Sequence, residues 1–473
     1  MTKLAVIYLV MCLFLPNTKF YFLWSAIYIL AILIKTKSWE KVVVFGYWPL
    51  LVYYVGQLYV FRVIQPEELN HPLYPDGRSL FFKLTPTLLF GVAVIISFLA
   101  KAIVDRVKAE GLIIVLLLAV LSGFISAMGQ GVIPWWVQTG NFISDLSLII
   151  WLWWVRNYLK NGSKNEREYF WIYFSSLLKV LILIGSALVL IQGIKGSALG
   201  LVVEQSGVLP YSGAGSDESG WLVRPIGLWS HANIAAYSIL LQMWSWLLIE
   251  FWRNKRINIL WKNWLIFPVV ALIWLQSRSV FLAMVPILGW AGYFYKRDIL
   301  ASGQKIRVGG WRLELVIAVM LLVAVVISDR FWNSVTNFGS YSGWDTRSKL
   351  ISVATRLVGH HLWWGVGSGN FIPVAFREDL TGVVKTFPES VHNGWMLILA
   401  EQGLAGMTVW LVFLGVFIRK WWNFSRSNIK LRWLLMVVLI SQLTVMMFQP
   451  FSSILTVNIV VAMLLLGDEA KGS

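Results

Sequence analysis

GLIIVLLLAVLSGFISAM, residues 111–128, carries no ionisable side chain over about the length a helix needs to cross a bilayer. In hydrocarbon every backbone N–H and C=O must be bonded within the chain, so a run of this kind is a membrane helix and not an open strand. Working outward, similar apolar segments recur at 4–15, 20–34, 41–61, 84–100, 141–155, 169–192, 231–252, 263–277, 280–295, 312–328, 404–418, 433–448 and 452–467. The expected fold is therefore all-α, a polytopic integral membrane protein of about 12–14 transmembrane helices. The breaks at Pro16-Asn17, Ser277-Arg278-Ser279 and Gln449-Pro450-Phe451 read as tight helical hairpins.

The whole composition agrees with a membrane solvent. Of the 473 residues, 58% are hydrophobic and only 13% charged, with a mean hydropathy of +0.70, which excludes an ordinary soluble domain. One cysteine, Cys12, excludes a disulfide framework and a cysteine-ligated metal site. Lys3 and the apolar run after it imitate a signal peptide, but Pro16-Asn17-Thr18-Lys19 offers no small-residue cleavage site, so a retained first helix is expected. With neither a fixed-period repeat nor a low-complexity divider, residues 1–473 read as a single membrane domain.

A net charge of +17 would suit nucleic acid only if gathered into one stripe, and it is not. The short connections 35–41, 101–108, 156–168, 253–262, 296–312 and 419–432 hold 24 of the 40 Lys+Arg in 69 residues; the alternate connections hold 13 in 148. This is the bias expected of cytoplasmic loops. It makes the expected location the cell inner (cytoplasmic) membrane, multi-pass, with both termini cytoplasmic, lipid bilayer as partner and no nucleic acid. Trp and Tyr clusters at segment ends (Trp151, Trp153, Trp154, Tyr169, Trp171, Trp421, Trp422) are expected as headgroup anchors rather than sugar platforms.

That topology sends the polar groups worth explaining to one side. The outer loop 193–230 holds a Gly-rich stretch, Ser212–Gly220, and a motif, Arg224-Pro-Ile-Gly-Leu-Trp-Ser-His231-Ala-Asn233, that leads into an apolar helix. A guanidinium is always charged and offers a planar fork of donors suited to pyrophosphate oxygens; the alternative is that Arg224 snorkels to headgroups. Asn233 is placed to cap the helix start. Arg278, in Gln276-Ser277-Arg278-Ser279, either holds an anionic group or is a solvated hairpin tip.

The longest outer (periplasmic) loop, 329–403, contains Arg347, the turn Gly365-Val-Gly367-Ser-Gly369-Asn370-Phe371, and His392-Asn393 followed by Glu401-Gln402-Gly403 and Gly406. Short helices are expected within it. Histidine titrates near neutrality, so His392 is the obvious proton acceptor for an attacking hydroxyl. Glu401 either orients the site or caps a helix turn. The glycine turn lacks the Lys-Ser/Thr that a nucleotide phosphate loop requires. His360-His361 lack carboxylates at ligand spacing, and no metal or cofactor is expected.

In this order, the four elements Arg224…Gly227…Asn233, Ser277-Arg278-Ser279, Gly365…Phe371 and His392-Asn393…Glu401…Gly406 resemble the O-antigen ligase and polymerase family over about residues 220–420. The resemblance implies a glycosyltransferase with a helical membrane scaffold of the type C kind. Its donor would be an undecaprenyl-diphosphate-linked glycan, and its acceptor a hydroxyl on a glycan or lipid A-core sugar. Arg224 and Arg278 would clamp the diphosphate, with Arg347 as a further arginine of the outer loop and His392 as general base. Ser230-His231-Ala-Asn233 departs from the Gln-Pro-Asn-His of relatives that glycosylate proteins, which weakens a protein O-oligosaccharyltransferase reading. A lipid-linked glycan flippase or exporter is the other class, but no related halves are visible in the sequence.

Overall fold

The computed structural model describes residues 1–15, 18–52, 58–61, 82–104, 111–130, 135–196, 199–201, 225–227, 229, 232–254, 263–275, 277, 279–286, 289–290, 292–293, 342–386, 390–426, 428–448 and 457–468. The fold is that of a helical polytopic membrane protein. In chain order the helices are α1 (Thr2–Phe14), α2 (Thr18–Thr36), α3 (Trp39–Val52), α4 (Pro86–Val104), α5 (Gly111–Gln130), α6 (Trp135–Asn161) and α7 (Lys164–Lys195). They are followed by α8 (Ala232–Asn254), α9 (Ile266–Leu275), α10 (Ser342–His360), α11 (Phe371–Glu378), α12 (Val383–Thr386), α13 (Gly394–Phe424), α14 (Ile429–Met446) and α15 (Val457–Asp468). Residues 279–286 are also helical. Among the described residues, α5, α7, α8, α13 and α14 are long and apolar enough to span a bilayer, and α1, α2, α4 and α9 are shorter apolar helices.

Two expectations change. The apolar run 41–61 is helical only as far as Val52; β1 (Leu58–Phe61) then pairs antiparallel with β2 (Phe82–Leu84), Leu58 opposite Leu84 and Phe61 opposite Phe82. Leu, Tyr, Val and Phe suit a strand as well as a helix, so hydropathy alone could not separate the two. The expected aromatic anchors also turn mostly inward. Trp151, Trp153, Trp154, Trp171 and Trp421 are buried, and only Tyr169 and Trp422 are exposed. Their rings fill a core instead: Trp151 stacks on Trp48 and Tyr47, and Phe174 packs edge-on against Trp48.

The chain divides into two compact units. One comprises residues 1–177, 347–424 and 446–473; the other comprises 178–346 and 425–445. In the first, α1 and α2 form the expected hairpin, closed by Tyr8 Oη and Ser25 Oγ at 2.9 Å. Its basic connections collect at one end: Lys41 pairs with Glu166 at 3.2 Å, Lys101 lies over the Trp154 ring at 4.7 Å, and the Trp39 indole donates to Ser97 Oγ. At the opposite end of α5 and α6 sits a small subdomain formed by α10–α12 and the start of α13.

Sequence explains that subdomain directly. Leu350, Val353, Ala354 and Leu357 recur at helical spacing on α10, and this face buries against Phe371, Val374, Ala375, Val383, Val384, Val391, Leu397 and Ala400. In the second unit α8 packs with α9, and the stretch 279–286 meets α14, where Ser441 Oγ donates to the Ala283 carbonyl.

Candidate functional site

The glycine turn and the Glu-Gln-Gly segment, separate motifs in sequence, dock onto each other. Val366 N–H donates to Ala400 O at 2.9 Å and Gly367 N–H to Glu401 O at 2.7 Å. One turn on, Leu404 N–H reaches Leu362 O at 2.8 Å and Ala405 N–H reaches Trp363 O at 3.1 Å. Two chain segments run backbone to backbone here, and that contact dictates the glycines. A Cβ on Gly365 would lie 2.4 Å from the Glu401 carbonyl carbon, and one on Gly403 would lie 2.4 Å from that of Trp363. Both residues also have positive φ, 68° and 64°. Gly403 is the non-helical point inside α13, so the motif helix 394–402 and the membrane helix that follows are two pieces joined by this glycine.

Helices α5 and α6 hold the turn from the other side. Ser126 Oγ donates to the Trp364 carbonyl and, at 3.3 Å, to that of Glu401. Gln138 Nε2 donates to Asn370 Oδ1 at 2.9 Å, while Asn370 Nδ2 returns to Val366 O at 2.9 Å. Gln402 Nε2 donates to Ser368 Oγ at 3.2 Å and its Oε1 accepts from the Trp410 indole at 3.0 Å. Glu401 is buried, and the N–H groups of Gly369 and Phe371 face its carboxylate. Phe371 begins α11, so the Glu401 carboxylate caps the first turn of that helix.

His392 lies half-buried just before this frame. Val391 is in the subdomain core, and Asn393 caps α13: its Oδ1 accepts from Met396 N–H at 3.0 Å and its carbonyl from Leu397 N–H at 2.9 Å. The backbone on both sides of the imidazole is thereby fixed. Arg347, half-buried near the start of α10, precedes Leu350 by one helical turn, and Leu350 shares its core with Val391. This subdomain therefore carries both Arg347 and His392.

Arg224 and Arg278 lie outside the described residues, as do His231, the Gly-rich stretch Ser212–Gly220 and the apolar run 312–328. Their neighbours are described within the second unit. After Arg224, Ile226 and Gly227 donate N–H bonds of 3.2 and 2.8 Å to Gln192 Oε1 at the end of α7. Gly227 has φ 60°, and a Cβ there would press on Val189 at 3.0 Å. After Arg278, Ser279 Oγ bonds Tyr237 Oη in the second turn of α8. The chain following Arg224 enters α8, so the neighbours of both arginines reach the same end of that helix. Asn233 falls inside the first turn of α8, which starts at Ala232, and not at the cap position expected for it.

His360 and His361 find in space the carboxylate that sequence spacing did not supply. Glu378 Oε2 is 2.8 Å from His360 Nδ1 and its Oε1 is 3.3 Å from His361 Nε2, clasping the ends of α10 and α11. Among the described residues no group of three such side chains is arranged to hold a metal ion.

Sequence reasoning passed over one cluster. Gln138, Asn141 and Asp145 share a face of α6 and line a cavity of about 260 Å³ with Ser144, Ser368 and Gln402. The available signal was an acidic residue and an amide at helical spacing inside an apolar segment.

The O-antigen ligase family model matches residues 264–411. That match supports the O-antigen ligase and polymerase family, and it contains Arg278, Arg347, the glycine turn, His392 and Glu401. Arg224 falls outside it. The match also supports a lipid-linked glycan transferase type of function and a membrane setting. No curated protein and no solved structure matches the chain.

Proposed function

We propose that this protein transfers an undecaprenyl-diphosphate-linked glycan to an acceptor hydroxyl on the outer face of the cell inner membrane, as an O-antigen ligase or a polysaccharide polymerase. The observation that carries the reading is the matched segment itself: the glycine turn, Glu401 and the cap beneath His392 are bonded into one subdomain at the end of the unit remote from its basic connections. By the charge rule the basic end is cytoplasmic, which puts His392 outside and both termini inside.

In this reading His392 takes the proton of the acceptor hydroxyl as its oxygen attacks the anomeric carbon from the face opposite the leaving group. The bond from that carbon to the diphosphate oxygen breaks, the electron pair leaves with the diphosphate, and configuration inverts. Arg224 and Arg278 hold the diphosphate bidentately and stabilise the charge that develops on it, with Arg347, from the subdomain that carries His392, as a third cation for it. Asn393, Glu401 and Asn233 support the elements that carry these groups. No step requires a metal or cofactor.

The test is glycan transfer by the purified full chain in nanodiscs supplied with lipid-linked donor. His392→Ala is expected to lower transfer by roughly 10²–10⁴-fold with insertion intact. Arg224→Lys and Arg278→Lys are expected to raise the donor KM, because an ammonium lacks the planar fork. Undiminished product from the histidine variant excludes it as the base, and wild-type donor use by both lysine variants returns the arginines to a headgroup role.

A further inference from the structure

The cavity between α5, α6 and α13 has a composition that selects its occupant. Two of its polar side chains are already committed to the frame: Gln138 to Asn370, and Gln402 to Ser368 and Trp410. Asn141 and Asp145, one turn apart on α6, are not. Both are exposed into the cavity, and neither makes a hydrogen bond or ion pair among the described residues. A carboxylate and an amide left facing an apolar helix bundle are costly unless they meet water or a hydrogen-bonding ligand.

A second part of the lining is aromatic, contributed by α5, α6 and α13. Phe124 and Phe142 stack at 4.4 Å between centroids and 24° between planes, and Trp410 closes the α13 side. Each wall rejects a class of ligand. The Asp145 carboxylate repels a phosphate or diphosphate, the polar α6 face disfavours an acyl chain, and a lone carboxylate among the lining residues is a poor cage for a divalent cation. A molecule with hydroxyls on its rim and C–H groups on its face satisfies both walls. A volume of about 260 Å³ lies just below the usual range of small-molecule sites, roughly 300–1,000 Å³, and suits a single ring.

We infer that this cavity is a subsite for one uncharged sugar ring, with Asp145 and Asn141 bonding adjacent hydroxyls and the aromatic wall covering the C–H face. Ionised, Asp145 accepts only, which matches hydroxyl donors, and Asn141 both donates and accepts. The subsite backs onto the glycine turn through Ser368 and Gly369. That the ring belongs to a glycan undergoing transfer rests on the proposed function; that a ring binds does not.

The experiment separates the two. The full chain in nanodiscs is examined by saturation-transfer NMR with methyl glycosides of common hexoses, N-acetylhexosamines and 6-deoxyhexoses as probes. Ring C–H protons of at least one glycoside are expected to receive saturation. Asp145→Asn should weaken its binding by roughly 10–100-fold, the usual scale for a hydrogen bond to a charged group. Asn141→Leu should remove the amide, put an apolar branch in its place and abolish binding.

A parallel measurement guards against misfolded variants. In a Cys12→Ser chain, Ser144→Cys, on the cavity lining but not one of the two bonding residues, should react with a maleimide, and the bound glycoside should slow that reaction. The inference is overturned if no glycoside binds, if both variants bind as the parent does, or if the glycoside gives no protection. In transfer assays Asn141→Leu should raise KM for either donor or acceptor, which identifies the source of the ring. A chain that binds glycosides but transfers nothing refutes the transferase reading alone; one that transfers with unchanged KM for both substrates in both variants refutes the subsite alone.

Discussion

Three glycines allow the docking of the subdomain formed by α10–α12 and the start of α13 to be dissected, because each alanine substitution adds a different cost. At Gly359, inside α10, the backbone is helical and a new Cβ meets nothing within 4 Å. Alanine there should stabilise the helix by about 0.5–1 kcal/mol. At Gly369 the φ of 77° is left-handed but the space is open, so alanine pays only conformational strain, about 1–2 kcal/mol. At Gly403 the backbone, φ 64° with ψ −168°, lies in a region essentially confined to glycine, and a strain of at least that size is joined by a clash: the Cβ would lie 2.4 Å from both the carbonyl carbon and oxygen of Trp363 and 2.6 Å from Gly365 N. These are backbone atoms and cannot swing aside, so the segments must part. The bonds from Leu404 and Ala405 to Leu362 and Trp363 are then lost, each contributing about 1 kcal/mol. The Gly403→Ala total is roughly 3–4 kcal/mol. Hydrogen exchange of the 366–367 and 404–405 amides in nanodiscs reads the opening free energy directly. If Gly403→Ala loses no more protection than Gly369→Ala, the backbone docking does not hold the subdomain.

Two further perturbations read the same subdomain. Burial pushes the Asp379 carboxyl upward, but bonds from Thr381 Oγ1 and the N–H groups of Val384, Thr381 and Gly382 outweigh it and set its pKa below the usual carboxylate value. Its contribution to stability is therefore fully present above the unfolded value, about 3.9, and is lost as pH falls through the lower folded one. Exchange protection across 381–384 should hold from pH 7 to about 4 and fade below, whereas Asp379→Asn should be weaker at pH 7 and nearly flat; a wild-type profile that fades at pH 5 contradicts this. Asn393→Ala should cost about 1 kcal/mol at the α13 cap, seen as faster exchange at Met396 and Leu397, and should reduce transfer through the loosened His392. Asn393→Ser should restore both, and an alanine variant with normal exchange and turnover would remove the cap from the account.

Much of the scaffold was legible because hydrophobic solvent leaves the chain few choices. The run 111–128 became α5 almost residue for residue, and the buried face of α10 carries Leu350, Val353, Ala354 and Leu357 at helical spacing, a pattern the sequence holds but the reading of 329–403 as a loop with short helices did not use. The failures share a cause: hydropathy reports how apolar a residue is and not which neighbour it meets. It could not stop α3 at Val52, and it assigned Trp151 and Trp171 to headgroups when the interior of the bundle was equally open to them. Glu378 escaped the search for partners of His360 and His361 because it lies seventeen and eighteen positions away, on another helix.

The motif residues then divide by what they touch. Gly365, Gly367, Asn370, Glu401, Gln402 and Gly403 bond or abut one another and the ends of α5 and α6, so the pattern that most strongly suggested chemistry is largely a joint. That joint fixes where the chain enters the membrane helix, and it fixes the cap from which His392 projects. A substitution within it would move the imidazole and the cavity wall together, since Ser368 and Gln402 belong to both. Loss of activity after changing Glu401 or a turn glycine would therefore be weak support for a catalytic role, and a cap-preserving change at His392 is the cleaner probe. The recurrence of small residues with acids and amides in such patterns follows from that physics: where two backbones must cross within hydrogen-bond distance, a side chain is the obstacle and buried N–H groups need an acceptor.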